Sequence, residues 1–79
     1  MTKLNNMDAE LLEFVVKSTS KICGKEIKNL DFPRSAIIGG VIRNGEGLIA
    51  LGDFTVEAED RIVVCCLPQS IKKVESFFY

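Results

Sequence analysis

Seventy-nine residues, 47% hydrophobic and 27% charged, suffice for one small globular domain and are too balanced for a disordered chain. Ten Lys and Arg against eleven Asp and Glu leave a net charge of -1; with no basic stripe to follow a phosphate backbone, nucleic acid is excluded as an expected partner. The longest apolar run, 62–68, is about a third of the roughly 20 residues a membrane-spanning helix needs, and no charged-then-apolar signal pattern opens the chain, so a soluble, cytoplasmic protein without direct membrane insertion is expected.

The opening segment has no periodicity and carries the turn-forming pair Asn5-Asn6, so residues 1–8 read as a linker remnant and 9–79 as the domain. From Asp8 to Lys17, "DAELLEFVVK" places Leu12, Phe14 and Val16 on one side and ends β-branched, which predicts a strand. Ser18-Thr19-Ser20 then offers N-cap hydroxyls, and Ile22, Cys23, Ile27 and Leu30 recur near helical spacing. Gly24 interrupts them, leaving one or two short helical turns. Pro33 holds Phe32 out of the helical region, so "DFPRS" is a loop.

"SAIIGGVIR" (35–43) is an apolar strand with a bulge expected at Gly39-Gly40. Asn44-Gly45 predicts a hairpin turn, and "GLIAL" (47–51) is the returning arm. "RIVVCCL" (61–67) reads as a core strand, apolar on both faces. Pro68 suits a first helical position, and Ile71, Val74 and Phe78 give "PQSIKKVESFFY" one apolar stripe. These elements add up to a two-layer α+β domain: a four-stranded sheet with a β-hairpin, a short helical region after the first strand, and a C-terminal helix packed on one face.

The stretch "GDFTVEAED" (52–60) concentrates Asp53, Glu57, Glu59 and Asp60. Metal or acid-base chemistry needs carboxylates that converge on one point, whereas strand and turn geometry scatters these over both faces, and EF-hand spacing is absent. With no histidine in the chain and no GxxxxGK[ST] run, no catalytic residue and no metal site is expected, and the chain reads as no enzyme. Asp53 and Asp60 instead flank the connection, where each is expected to accept backbone N–H bonds that close a turn. Val56 between them tucks into the end of the core.

Cys23, Cys65 and Cys66 are odd in number, and strand neighbours point to opposite faces, so they read as small hydrophobes in a reducing compartment. One helix covers one face of a sheet whose core strand is apolar on both. A homodimer through the uncovered sheet or hairpin surface is therefore expected, with Ile37, Ile49 and Leu51 as contacts; the alternative is that the 18–33 segment covers that face.

Several short patterns then occur in order: Gly24-Lys25 with Leu30, Val41-Ile42-Arg43 before Asn44-Gly45, Gly52-Asp53, Asp60-Arg61, and the closing "LPQSIKKVESFF". From Ala9 to Phe78 the chain resembles the C-terminal domain of TrkA, the RCK C-terminal or TrkA-C domain family, with Glu59 standing where that family commonly has Gly. The resemblance implies a regulatory, dimerising domain of a cytosolic subunit that controls potassium ion transport across the membrane. Its partners would be a second copy and, through the full-length protein, a membrane potassium transporter or channel subunit at the inner face of the membrane.

NAD or ATP would bind a Rossmann domain absent from this fragment, which has no GxGxxG run, so no cofactor is assigned to these residues. Relatives that bind cyclic dinucleotides carry Asp, an apolar residue and Arg in the segment matching "DFPRS", which makes Asp31, Phe32 and Arg34 the candidate ligand-binding residues. Pro33 adds one residue to that spacing. Two other readings stay open: a stand-alone small-ligand-binding or adaptor module with the same fold, and an enzyme subunit whose carboxylates complete a neighbour's site.

Overall fold

The computed structural model describes residues 8–79; the linker expected at 1–8 lies outside the described residues but for Asp8. Four strands, β1 (Glu10–Val15), β2 (Ala36–Arg43), β3 (Glu46–Leu48) and β4 (Arg61–Cys66), form one antiparallel sheet in the order β1-β4-β2-β3. The strand that comes last in sequence thus lies between the first two. It pairs with β1 from Glu10↔Cys66 to Val15↔Arg61 and with β2 from Ala36↔Cys66 to Ile42↔Arg61. A central strand has no solvent-facing edge, which suits the uninterrupted apolar run after Arg61.

The hairpin between β2 and β3 turns on Asn44 and Gly45, whose φ angles of 52° and 77° make a type I′ turn. The β2–β4 register slips between Ile38 and Gly40, the bulge expected at the diglycine. The β2–β3 ladder ends at Leu48, short of the arm expected to reach Leu51. Past the end of that ladder the backbone finds other partners: the Lys28 N–H donates to the Gly52 carbonyl at 2.8 Å and the Ile27 N–H to the Phe54 carbonyl at 3.0 Å.

The covering layer is built from two segments. Residues 17–24 form hydrogen-bonded turns that end at Gly24, with φ of 82°, and a 3₁₀ turn follows at Ile27–Asn29. At the C-terminus a 3₁₀ turn with Pro68 at its first position leads into α1 (Ile71–Glu75). The helix is shorter than its apolar stripe predicts: past Glu75 the N–H groups of Phe77 and Phe78 bond back only three residues, to the carbonyls of Val74 and Glu75 at 3.0 and 2.9 Å, and the last carbonyls reach the other segment. Phe77 accepts the Ile22 N–H at 3.1 Å, and Phe78 accepts the buried Ser20 hydroxyl at 2.9 Å. Of the three N-cap candidates, Ser20 therefore serves as a tie between the two segments, also accepting the Lys17 N–H.

The core is the inner face of the sheet, Val41, Ile62, Val64 and Cys66, closed by Val16, Ile22, Val56, Val74 and Phe78. Each fully buried Val or Ile contributes about 1.5–3 kcal/mol of transfer free energy, and the Phe14 and Phe78 rings stack at 4.3 Å. Cys23, Ile27, Leu30 and Phe32 of the 18–33 segment pack onto this same core. That segment does not cover the opposite face, where Leu11, Val15 and Ile37 are exposed. No helix among the described residues is long and apolar enough to cross a membrane.

Candidate functional site

The outer face of the sheet is ordered by strand register. Leu11, Cys65 and Ile37 lie side by side across β1, β4 and β2; Glu13, Val63 and Gly40 form the next row, and Val15, Arg61 and Ile42 the third. Gly40 presents no side chain opposite Val63. The only charges on these rows are Glu13 and Arg61, which pair at 2.7 Å. Both are exposed, and such a pair contributes about 0–1 kcal/mol. What remains is an apolar surface whose Ile37 is 66% exposed.

At one end this face runs into the "DFPRS" loop and forms a groove of about 360 Å³, walled by Ala9, Ile37, Cys65 and Leu67 with Arg34 as its cation. Phe32 lines a different hollow of about 150 Å³, with Ile27, Leu30 and Ile38, and its ring meets Phe77 at 4.7 Å. Ala36 and Ile37 belong to both walls, so strand β2 separates the two hollows. Asp31 is exposed and lines neither. Within one chain, then, the three candidate ligand residues do not converge. Arg34 alone faces the larger groove.

The acidic stretch has a different centre. The Asp60 side chain is 2% exposed and accepts two bonds from Arg43, from Nε at 2.8 Å and from Nη2 at 2.7 Å, and a third from the Glu57 N–H at 2.9 Å. Arg43 also donates to the Thr55 carbonyl, pairs with Glu57 at 3.0 Å and lies 4.8 Å from the centre of the Phe54 ring. The guanidinium hydrogen bonds hold the Asp60 carboxyl below the usual carboxylate range, against the opposing effect of burial. Burial pushes the Cys66 thiol up.

Asp60 is the turn-closing residue expected from sequence. Asp53 is not: it is exposed and makes no side-chain hydrogen bond among the described residues. Arg43 was not foreseen, although a single cation ending an apolar strand is the signal that could have marked it. No group of three or more His, Cys, Asp or Glu among the described residues is placed to hold a metal ion.

The family model described as the TrkA-C domain matches residues 11–79. The chain is 43% identical over 68 residues to a Trk system potassium uptake protein TrkA homolog of Archaeoglobus fulgidus, covering 86% of this chain and 15% of that protein. It is 33% identical over 78 residues to homolog 1 of Methanosarcina mazei, covering 99% and 17%, and 36% identical over 69 residues to TrkA of Azorhizobium caulinodans, covering 87% and 15%. The chain therefore spans 15% to 17% of the length of these curated relatives. A solved structure described as an RCK domain with cda superposes with a TM-score of 0.75 at 22% identity, covering 87% of this chain and 97% of that one. That likeness is one of fold.

Proposed function

Because this chain belongs to the TrkA-C domain family, we propose that it is the regulatory, dimerising domain of a cytosolic subunit that controls potassium transport across the membrane. The observation that carries the reading is the open outer face of the sheet, apolar in all three rows apart from one internally neutralised ion pair. A small domain gains little from leaving such a surface in water, and a second copy is the partner always present at matching concentration. Paired domains fix the distance and angle between the subunits that carry them. This is how a domain without catalytic groups passes a conformational change to a membrane transporter at the inner face of the membrane.

The test is a graft. This chain replaces the matching segment of the Archaeoglobus fulgidus relative, and potassium uptake is measured in cells lacking their own regulatory subunit. Restored uptake supports the reading; a folded, assembled chimera that leaves uptake at the level of the empty vector refutes it and favours a stand-alone binding module.

A small anionic ligand is a second element of the proposal, carried by the groove at Arg34. Arg34 makes no salt bridge among the described residues, so its planar guanidinium is free for a bidentate contact with phosphate or carboxylate. Two copies would bring two such arginines into one assembly, with Phe32 and Asp31 supplying an apolar wall and an acceptor across β2. Calorimetric titration with cyclic dinucleotides and with ordinary nucleotides tests it. Binding that Arg34→Ala leaves unchanged, or no heat with any of these compounds, removes the site and leaves the dimerising role.

A further inference from the structure

We propose that the layer covering the inner face of the sheet presents a lysine surface, centred on Lys21, Lys72 and Lys73, that adsorbs to an anionic lipid bilayer. The choice of a bilayer rests on the reading above, in which the parent subunit works at the inner face of the membrane. The surface itself follows from where the fold puts charge.

A chain that is nearly neutral as a whole is sharply polarised in space. The two covering segments, 17–30 and 68–79, carry six lysines against two glutamates, a formal net of +4 with the termini left aside. The other described residues carry three arginines against nine carboxylates, a net of -6. All six lysines are exposed, and among the described residues only Lys28 makes a salt bridge, with Glu26 at 3.8 Å. The arginines behave otherwise: Arg43 and Arg61 are each bound to a carboxylate of the sheet side.

Tertiary hydrogen bonds gather these cations. The Ile22 N–H bond to the Phe77 carbonyl sets Lys21 beside the C-terminal segment, and the Lys73 ammonium lies 5.8 Å from the centre of the Phe77 ring. Ile22 and Val74 are fully buried toward the sheet, so their exposed neighbours Lys21, Lys72 and Lys73 face away from it. Lys25 and Lys28 instead run beside the acidic connection: the Val56 N–H donates to the Lys25 carbonyl at 3.0 Å and the Lys28 N–H to the Gly52 carbonyl at 2.8 Å. Lys17 stands at the margin, next to the Val16 carbonyl that accepts the Glu59 N–H at 2.8 Å. A flat anionic surface fits this arrangement better than a single anion does. Neither hollow described above is lined by a lysine, and a lysine ammonium is a hydrated point charge that acts without the fixed bidentate geometry of arginine. Several such charges facing one anionic leaflet add their attractions. The carboxylates of the sheet side then lie on the far side of the domain, where the surface potential has decayed over a Debye length of about 10 Å.

The test is co-sedimentation of the whole chain with vesicles of phosphatidylcholine alone or with about one third phosphatidylserine, at low salt and again at about 0.5 M salt. Two double variants are compared. Lys21→Ala with Lys72→Ala removes two charges from the proposed surface, and Arg34→Ala with Arg61→Ala removes two from the sheet side. All four side chains are exposed, and circular dichroism melts check that both variants keep the fold. The wild type should bind the anionic vesicles only and be released by salt. The lysine variant should bind about 25-fold more weakly, from roughly fivefold for each cation near the surface, while the arginine variant keeps wild-type binding. Equal loss in both variants would assign the effect to net charge and overturn the surface. Equal binding to neutral vesicles would give the contact to the apolar outer face of the sheet and overturn it too. Release of bound protein by a stoichiometric oligonucleotide would reassign the lysines to nucleic acid. No binding to either vesicle would remove the inference and leave the transport reading standing, since the uptake graft judges that reading separately.

Discussion

Replacing Asp60 with alanine deletes the acceptor of three charge-assisted hydrogen bonds, two from Arg43 and one from the Glu57 N–H. A hydrogen bond to a charged group is worth about 1.5–3 kcal/mol net, so simple addition would give roughly 4.5–9 kcal/mol. Arg43 is not stranded, however. Its side chain is 28% exposed, it keeps Thr55 and Glu57 as partners, and water can reach its freed nitrogens. The expected loss is therefore about 3 kcal/mol, at the low end for breaking a buried ion pair. A chain of this length has a total stability of about 4–12 kcal/mol, so the variant should lose between a quarter and three quarters of it. Urea unfolding followed by far-ultraviolet circular dichroism is the assay, because the chain has no tryptophan and its one tyrosine, Tyr79, is exposed. Both proteins must be compared at one concentration. A loss below about 1 kcal/mol with an unchanged denaturant slope would show that water substitutes for the clamp, and would refute the reasoning.

The same carboxyl predicts the acid limb of stability. Arg43 lowers the Asp60 pKa in the folded state, so the unfolded chain takes up the proton first as pH falls. The stabilisation is complete above the ordinary carboxylate value of about 3.9 and is lost as pH drops through the lower folded value. Asp60→Asn should flatten thermal midpoints measured between about pH 5 and 2; an acid limb as steep as the wild type's would assign it to other carboxylates. Glu59 has φ of 73°, and Glu59→Gly should stabilise by about 0.5 kcal/mol, with roughly 1–2 kcal/mol of strain relieved against up to about 1 kcal/mol of added unfolded-chain freedom. A lower melting point in Glu59→Gly would show that the side chain does more than tolerate the turn. Finally, the unfolding midpoint should be the same with and without a strong chelator and a reductant, and a shift of many degrees with either would reveal a metal or disulfide contribution.

Much of the fold could be read locally. Asn44-Gly45 predicts the hairpin because positive φ at two successive positions is a demand on those residues themselves, and the register shift in β2 falls where the sequence sets two glycines side by side. The strained position at Glu59 was visible only through the resemblance, since nothing in "EAED" itself asks for a left-handed residue. The candidate site was less legible. Phe32 and Arg34 are two residues apart, yet strand β2 places them in separate hollows, and Arg43 joins Asp60 across 17 positions of sequence.

By itself the sequence determined the identity of the strands, the turn chemistry, the inward face of each element and the excess of apolar surface that one short helix leaves bare. These are short-range properties, set by steric limits on φ and ψ and by the period of the side chains. Only the tertiary structure decided that β4 enters between β1 and β2, that the β2–β3 ladder stops at Leu48, and that the carbonyls of Phe77 and Phe78 tie the C-terminal segment to the Ile22 N–H and the Ser20 hydroxyl. Each of these is settled by hydrogen bonds between groups far apart in sequence, and local sequence does not record which distant groups meet.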